Sequence, residues 1–280
     1  MIGGVVRPGP ARTARHGSSI PTRAPSMSGG PGWPAGALPW RPDWAPAPAR
    51  PALVDGGCDL WRIDLEAVAA AGGGDPAASP LDEAERARAA RFVFERHRRW
   101  YTAARTALRT IVGRYLGLDA AAVPIQIAAL GRPRFASDGE PPLDFNLSHC
   151  DALAVLAVAR RGPLGVDVEQ VRDMKDALAL AQRNFVGDEI DRVATASGGA
   201  RERVFFTCWT RKEAVLKSTG VGLTVAPWTV RVGATPEVLE LEFRSPDGPQ
   251  PLVVRSFEVR EGAIGACAFP PGVRVVGCYE

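Results

Sequence analysis

The sequence predicts an α+β fold made of two similar halves, each with helices and a sheet. Long helical patterns occur twice, within residues 81–117 and 204–220, and short apolar strand patterns follow each of them. The helices and strands recur in similar order without a sequence repeat. We therefore expect one α+β half over residues 51–163 and a second over residues 164–280.

The first half begins with a strand pattern, CDLWRIDL, in which side chains alternate as in a half-buried strand. A helix is expected from Leu81, because its first turn is acidic and its later turns are rich in Arg. A second helix covers HRRWYTAARTALRTIVGRYLG, with apolar side chains every three or four residues, and ends at Gly117. Three strands complete this half: VPIQIAAL, LDFNLSH and ALAVLAVA.

The second half opens with a fourth strand, LGVDVEQV. One or two helices are expected between residues 173 and 199, around RNFVGDEI. A clear helix, VFFTCWTRKEAVLKSTG, is ended by Gly220 and Gly222. Four strands close the half: WTVRVG, VLELEFR, LVVRSFEV and AIGACAFP.

Charge is distributed unevenly along the chain. Residues 1–50 hold six Arg, one acid, ten Pro and eight Gly, which predicts a disordered leader. Of 34 basic and 31 acidic residues in all, 28 and 30 then remain, so the body has a net charge of about −2. Such a body is not a generically basic nucleic-acid binder, and we expect no nucleic-acid partner.

Two further features bound the class of protein. The longest apolar run, from Ala152, has eight residues, far short of a membrane span of about 20, so we expect no membrane partner. The five Cys are scattered and form no CxxC pair, so neither a disulfide framework nor a Cys-rich zinc site is indicated. A reducing, cytoplasmic setting is expected.

Two carboxylates in LGVDVEQV raise a question about charge. In a strand, Val166 and Val168 point to one face while Asp167 and Glu169 point to the other. Like charges this close repel each other and raise a pKa. The group that faces them is then a Lys or Arg, a metal ion or solvent.

The last long helix carries a third carboxylate. Trp209, Glu213 and Lys217 fall at i, i+4 and i+8, on one helical face. Taken alone, Glu213 and Lys217 are most simply a surface ion pair, but the indole of Trp209 favours a face that points toward protein. Together with the two strand carboxylates, Glu213 would suit an oxygen-only site for Mg²⁺, and Lys217 would suit an anionic substrate.

Three other groups are weaker candidates. Ser148 and His149 end a strand, but no G-x-S-x-G elbow surrounds the serine, and a lone His is more often a structural hydrogen-bonding residue. The turn GRPRF carries two cations and is by itself a solvated loop. The Arg run within residues 86–109 is either a solvated helical face or a site for a phosphate-rich ligand. No Walker loop or GxGxxG precedes a helix.

The order of these motifs resembles a known family. RARAARFVFERHRRWYTAARTALR, GRPRF, FNLSH, GVDVE and FFTCWTRKEAVLKSTGVGL together resemble the Sfp-type 4′-phosphopantetheinyl transferases, over roughly residues 58 to 270. The resemblance implies two similar halves related by a pseudo-twofold, with coenzyme A in the cleft between them. It also implies a monomer that transfers the phosphopantetheine arm of coenzyme A to a serine of an apo acyl, peptidyl or aryl carrier protein, releasing adenosine 3′,5′-bisphosphate.

The resemblance assigns roles to individual residues. It makes Asp167, Glu169 and Glu213 the Mg²⁺ ligands. Glu213, or a water bound to the metal, would take the serine proton, and Lys217 would stabilise the pyrophosphate. The matching positions that would contact the coenzyme A phosphates are Arg88, Arg105, Thr106, Arg132, Ser148 and His149. Arg132 replaces the Lys that is commonest in the family, which keeps the charge and changes the hydrogen-bond geometry.

Two other function classes compete with the enzyme. A non-catalytic carrier-protein or coenzyme A binding module of the same fold would be expected to have lost a metal ligand, whereas all three carboxylates and Lys217 are present. An Mg²⁺-dependent nuclease would need an extended basic groove with stacking aromatic residues. A net charge of about −2 over residues 51–280 does not favour such a groove. The enzyme is the favoured interpretation.

Overall fold

The structure is a computed structural model, and it describes residues 39–128, 131–136, 139–220, 224–245 and 248–280. Its strands are β1 (Gly57–Asp64), β2 (Ile125–Ile127), β3 (Pro133–Phe135), β4 (Asp144–Cys150), β5 (Leu153–Ala159), β6 (Gly165–Gln170), β7 (Leu239–Ser245), β8 (Gly248–Arg260), β9 (Ala263–Phe269) and β10 (Arg274–Tyr279). Its α-helices are α1 (Leu65–Val68), α2 (Glu83–Ala90), α3 (Glu95–Leu116), α4 (Ala177–Asn184), α5 (Gly187–Thr195) and α6 (Gly199–Ser218).

Two four-stranded sheets organise the chain. The first has the strand order β10-β1-β5-β4 and the second the order β6-β9-β8-β7, while β2 and β3 form a small separate pair. α3 covers one face of the first sheet, and α6 covers one face of the second. The predicted α+β fold with two sheet-plus-helix halves is therefore confirmed.

The uncovered faces of the two sheets pack against each other. Leu60 and Val155 of the first sheet meet Val166, Val168 and Phe257 of the second in one buried apolar cluster. β4 and β6 lie side by side where the sheets meet, and the side-chain Oδ1 of Asn146 accepts a hydrogen bond of 2.8 Å from the backbone N–H of Val166. This contact places the end of β4 beside the carboxylates of β6.

The helix ends follow signals that are visible in the sequence. Asp82 and Glu85 form a capping box at the start of α2, each side chain accepting a hydrogen bond from the other residue's backbone N–H. Gly117 ends α3 in the left-handed conformation, with φ 67°, which glycine adopts without steric cost. Within the described residues, no helix is both long enough and apolar enough to cross a membrane.

Two strand predictions need correction. WTVRVG was expected to be a strand, but Pro227–Thr229 form a 3₁₀ turn. The backbone N–H groups of Val232 and Gly233 donate to the buried Glu189 carboxylate, not to a neighbouring strand. Conversely, β10 was not predicted, and it pairs in parallel with β1 of the first sheet. The second half was predicted to cover residues 164–280. Its last strand, β10, instead belongs to the sheet of the first half.

The predicted leader is wrong for residues 39–47, which we call the N-terminal strap. Trp40 forms a bridge with Phe257 of β8, and Ala45 forms one with Tyr279 of β10. Arg255 stacks on the Trp40 ring at 3.9 Å, and Arg62 stacks on Trp44. The strap therefore contacts strands of both sheets. Residues 1–38 of the predicted leader lie outside the described residues.

Candidate active site

Three polar side chains meet where β4, β6 and α6 come together. Asp167 Oδ1 lies 2.6 Å from Lys217 Nζ and accepts a hydrogen bond of 2.8 Å from Ser148 Oγ. Lys217 Nζ is also 2.9 Å from Ser148 Oγ. The alternation predicted for β6 places Val166 and Val168 in the core between the sheets and leaves Asp167 facing α6. The positive group that faces Asp167 is therefore Lys217.

The second oxygen of Asp167 has no such partner. Oδ2 is buried, and within the described part of the chain no donor reaches it. Glu169, two residues along the strand, is 8% exposed and has one weak ion pair, with Arg172 at 3.4 Å. Burial, followed by repulsion from Asp167, raises the pKa of Glu169. The site thus holds more negative charge than its own cations neutralise.

Glu213 is a third acidic group at the site. It lies on α6, one helical turn before Lys217. Its pKa is raised to about 7, first because burial disfavours the charged form and then because Asp167 and Glu169 repel it. Lys217 opposes the shift. A carboxyl group in this state takes up a proton readily near neutral pH, or loses it when a cation arrives.

The carboxylates have the chemistry of a magnesium site without its closed geometry. Among the described residues, no three His, Cys, Asp or Glu side chains are arranged to hold a metal ion. Yet the donors are all oxygens, the buried Asp167 Oδ2 lacks a partner, and Glu169 and Glu213 both repel Asp167. Asp167, Glu169 and Glu213 therefore fit a hard divalent cation, and their role as its ligands stays a prediction.

Arg88 lies exposed on α2, and its guanidinium stacks over the Tyr101 ring at 5.8 Å. The hydroxyl of Tyr101 is buried, and no hydrogen-bond partner reaches it within the described residues. Burial raises the Tyr101 pKa, so the hydroxyl keeps its proton and can donate it to an anion. Sequence reasoning missed Tyr101, because nothing in the helical pattern reveals an unpaired hydroxyl.

His149 follows Ser148 at the exposed end of β4. Although solvent reaches the imidazole, the surrounding protein disfavours its charged form, and this lowers the pKa of His149. Lys217 lowers it further by repulsion. His149 is therefore an uncharged donor near neutral pH until an anion approaches it.

The structure places Arg105 beside Tyr101, where its charge opposes the rise in the Tyr101 pKa that burial causes, but it turns Thr106 away from this site. Arg105 is buried, and its Nε lies 2.5 Å from the buried carboxylate of Glu85. Thr106 is rotated away on α3, where its hydroxyl donates to the Gly73 carbonyl beside a cavity of about 790 Å³. That cavity is lined by β1, α1 and α3 residues and includes none of the three carboxylates. The interpretation of Thr106 as a phosphate contact does not match this placement.

Arg132 supports the site from behind. Its guanidinium donates to the carbonyl oxygens of Lys217 at 2.5 Å and Leu164 at 3.0 Å, and it pairs with Asp144 at 3.2 Å. Its donors thus hold the end of α6 against the start of β6, which fixes the backbone of Lys217. In this arrangement Arg132 is a positioning residue, and its predicted contact with a phosphate is not what the guanidinium does here.

Two family models match the chain. Residues 75–161 match the model described as 4'-phosphopantetheinyl transferase, N-terminal, and residues 163–254 match the 4'-phosphopantetheinyl transferase superfamily. Together they cover β2 to β7 and the first part of β8, and they include both β4 and β6, which meet at the candidate site.

Similar proteins carry the same description. The chain is 38% identical to the 4'-phosphopantetheinyl transferase HetI of Nostoc sp. over 184 residues, which are 64% of this chain and 76% of the relative. It is 30% identical to psf-1 of Bacillus pumilus (60% and 72% covered) and 27% identical to Sfp of Bacillus subtilis (72% and 95% covered). The chain therefore belongs to the 4′-phosphopantetheinyl transferase family, and it is an enzyme that transfers phosphopantetheine to carrier proteins.

Proposed function

We propose that the enzyme works with Mg²⁺ held by Asp167, Glu169 and Glu213, and that it takes phosphopantetheine from coenzyme A for a serine of an apo acyl, peptidyl or aryl carrier protein. One observation carries the proposal: Asp167 offers one oxygen to Lys217 and keeps a buried, unpartnered oxygen beside two carboxyl groups whose pKa is raised. Such excess buried negative charge is what a divalent cation would neutralise.

The reaction exchanges one phosphorus–oxygen bond for another. The serine oxygen bonds to the phosphorus that carries the pantetheine arm, the bond to the adenosine-side phosphate breaks, and adenosine 3′,5′-bisphosphate leaves with the electron pair. When bound, Mg²⁺ supplies charge neutralisation on the pyrophosphate. Lys217, held by Asp167 and Ser148, presents a fixed cation to the same oxygens. The serine proton goes to Glu213, which lies one helical turn from Lys217, or to a water held beside it.

The adenosine-side phosphates contact residues of the first half. Arg88 supplies an exposed guanidinium, and the Tyr101 hydroxyl beside it supplies a buried donor without a partner. Ser148 and His149 at the end of β4 extend this set toward Lys217. Charge-assisted hydrogen bonds of this kind are the strong ones in phosphate recognition.

A single chain is sufficient for this site, because Ser148 comes from the first sheet and Asp167 from the second. We therefore propose that the enzyme acts as a monomer. The described cysteines are free thiols, and four of the five are buried, which supports a reducing, cytoplasmic location.

Mass spectrometry of an apo carrier protein tests the proposal. The carrier is incubated with the enzyme and coenzyme A, either with Mg²⁺ or with excess EDTA. We expect the mass of one phosphopantetheine to be added only with Mg²⁺, and to be lost in Asp167→Asn. Asp188→Asn is the matched control, since Asp188 pairs with Arg231 on the surface. Full transfer in EDTA, or full transfer by Asp167→Asn, would contradict the proposed metal site.

A further inference from the structure

The junction of α2 and α3 exposes two large apolar side chains. Val93 is 90% exposed and Phe94 is 63% exposed, the highest values for large apolar residues in the described part of the chain. They are adjacent in sequence, and Phe94 stands at the N-terminal cap of α3, where its ring and that of His97 are in edge-to-face contact with centroids 5.5 Å apart. Adjacent exposed apolar groups of this size commonly mark a binding surface.

Positive charge surrounds this apolar pair. Residues 86–99 contain six Arg and one Glu, a net charge of +5. Arg98 pairs with Glu95 and Arg99 with Glu66, whereas no ion pair is formed by Arg91 or Arg96 within the described residues. Guanidinium groups without an ion pair, next to an apolar surface, are complementary to an acidic partner. We call Arg91, Val93, Phe94 and Arg96 the junction patch.

The junction patch lies next to the candidate site. Arg88, on the last turn of α2, comes near Gly131, so that a side chain added to Gly131 would begin 3.7 Å from the guanidinium. The next residue, Arg132, holds the carbonyl of Lys217. The patch therefore begins within one helical turn of Arg88, the proposed phosphate contact.

We propose that the junction patch docks the apo carrier protein through an acidic, partly apolar surface of that carrier. This inference rests on the proposed function, in which a folded protein must bring its serine to Lys217. A protein is favoured over an anionic membrane because the patch borders a site that has to receive a macromolecule, and because two apolar side chains are a small area for insertion into lipid. The cations steer the carrier and the apolar pair fixes its position.

Steady-state kinetics with an acidic apo acyl carrier protein test the docking. We expect the double variant Val93→Ser, Phe94→Ser and the double variant Arg91→Gln, Arg96→Gln each to raise the KM for the carrier about tenfold. The KM for coenzyme A and the kcat at saturating carrier should stay unchanged. The arginine variant should also lose most of the increase in carrier KM that added salt causes in the parent.

Matched controls come from elsewhere on the surface. Val238→Ser removes another exposed apolar residue, and Arg274→Gln removes an exposed cation of β10. Both should keep the parental KM for the carrier. The melting temperature of each variant is measured, since side chains this exposed should contribute little to stability.

The other outcomes decide against the patch. The docking proposal is overturned if both double variants keep the parental KM for the carrier. It is also overturned if the KM for coenzyme A rises equally, or if the melting temperature falls by a large amount. Co-sedimentation with vesicles of anionic phospholipid that the Val93→Ser, Phe94→Ser variant abolishes while keeping the parental carrier KM would overturn it as well. A parent enzyme that transfers nothing to any apo carrier would instead refute the proposed function, and direct binding of the carrier would then test the patch alone.

Discussion

Lys217 Nζ lies 2.6 Å from Asp167 Oδ1, which joins the end of α6 to the middle of β6. Lys217 is 27% exposed at its side chain and the Asp167 side chain is 7% exposed, so the lysine is partly open to solvent while the carboxylate is buried behind it. The pair thus holds a cation at the mouth of the site without neutralising Asp167 completely, because within the described residues Oδ2 has no donor.

The first prediction separates the function of Asp167 from its contribution to stability. Asp167→Asn should reduce kcat/KM for coenzyme A by about 100-fold or more, because the change removes an anionic ligand of the proposed Mg²⁺ and weakens the contact that holds Lys217, the two cations that would stabilise negative charge on the transferred phosphate. The melting temperature should change by only a few degrees, since Lys217 can turn to solvent. Enzyme kinetics and thermal unfolding measure the two effects. A variant that unfolds without losing activity per folded molecule would contradict the prediction.

The second prediction concerns pH and stability in the absence of metal. The pKa of Glu213 is about 7 in the folded protein against a usual value of 4.5, and the pKa of Glu169 is also raised. Groups with raised folded pKa values favour the folded state fully below pH 4.5 and lose that contribution as the pH rises through 7. The free energy of unfolding should therefore fall between about pH 5 and pH 8.

Urea unfolding of Glu213→Gln at several pH values measures this contribution. The variant should lose part of the pH slope and be more stable than the parent at pH 8, by about 1 to 3 kcal/mol. Mg²⁺ together with coenzyme A should reduce the slope in the parent, because a bound cation favours the charged carboxylates. Identical slopes for parent and variant would show that Glu213 does not titrate in this range.

The third prediction assigns Arg132 a structural role. Arg132→Ala should lower the free energy of unfolding by about 2 kcal/mol, because the carbonyls of Lys217 and Leu164 lose a charged donor. Arg132→Lys should recover only part of it, since one ammonium cannot reproduce the forked contacts. Arg134→Ala is the matched control, since Arg134 is the exposed residue of β3, two positions along the chain. Equal destabilisation by both alanine variants would argue against this structural role of Arg132.

The fourth prediction concerns the N-terminal strap, which was expected to be disordered. A chain that starts at Pro39 should melt well above one that starts at Ala49, because only the first retains the contacts of Trp40 with β8 and of Ala45 with β10. In the full chain, Trp40→Ala should cost about 1 to 3 kcal/mol. The control is Trp228→Ala, whose side chain is 55% exposed. Equal melting temperatures for the two truncated chains would restore the original expectation.

Local sequence patterns predicted the elements of the site better than its contacts. The alternation in GVDVE predicted which side chains of β6 face the core, and the i, i+4 spacing placed Glu213 and Lys217 on one face of α6. Both patterns are properties of a single element. The bond of Lys217 to Asp167, in contrast, depends on how a helix packs on a strand 50 residues away, which no local pattern encodes.

The errors in the sequence analysis have the same physical origin. The strap forms because Trp40 and Ala45 find backbone partners more than 200 residues away in β8 and β10, so a Pro-rich composition could not reveal it. WTVRVG fails to become a strand because its backbone donors are taken by the buried Glu189. The resemblance assigned both Arg105 and Thr106 to the phosphates, but successive residues of a helix point about 100° apart, and the Thr106 hydroxyl donates to the Gly73 carbonyl.

The last prediction concerns recognition of the 3′-phosphate of coenzyme A. Arg88 and Tyr101 provide a guanidinium and, among the described residues, an unpaired hydroxyl at one place, and each charge-assisted bond to a phosphate contributes about 1.5 to 3 kcal/mol. The parent should bind coenzyme A clearly better than dephospho-coenzyme A. Arg88→Ala should remove most of that preference and Tyr101→Phe a smaller part, while the Mg²⁺ requirement persists. His149→Ala should reduce the preference more at pH 6 than at pH 8, because the low pKa of the imidazole leaves it uncharged at the higher pH.

Calorimetric titration of each variant with both ligands measures the affinity ratios. Arg91→Ala, one turn from Arg88 but outside the proposed phosphate contacts, should keep the parental ratio. If Arg88→Ala and Tyr101→Phe also keep it, then Arg88 is a solvated surface cation, the Tyr101 hydroxyl has no ligand, and the 3′-phosphate is bound elsewhere.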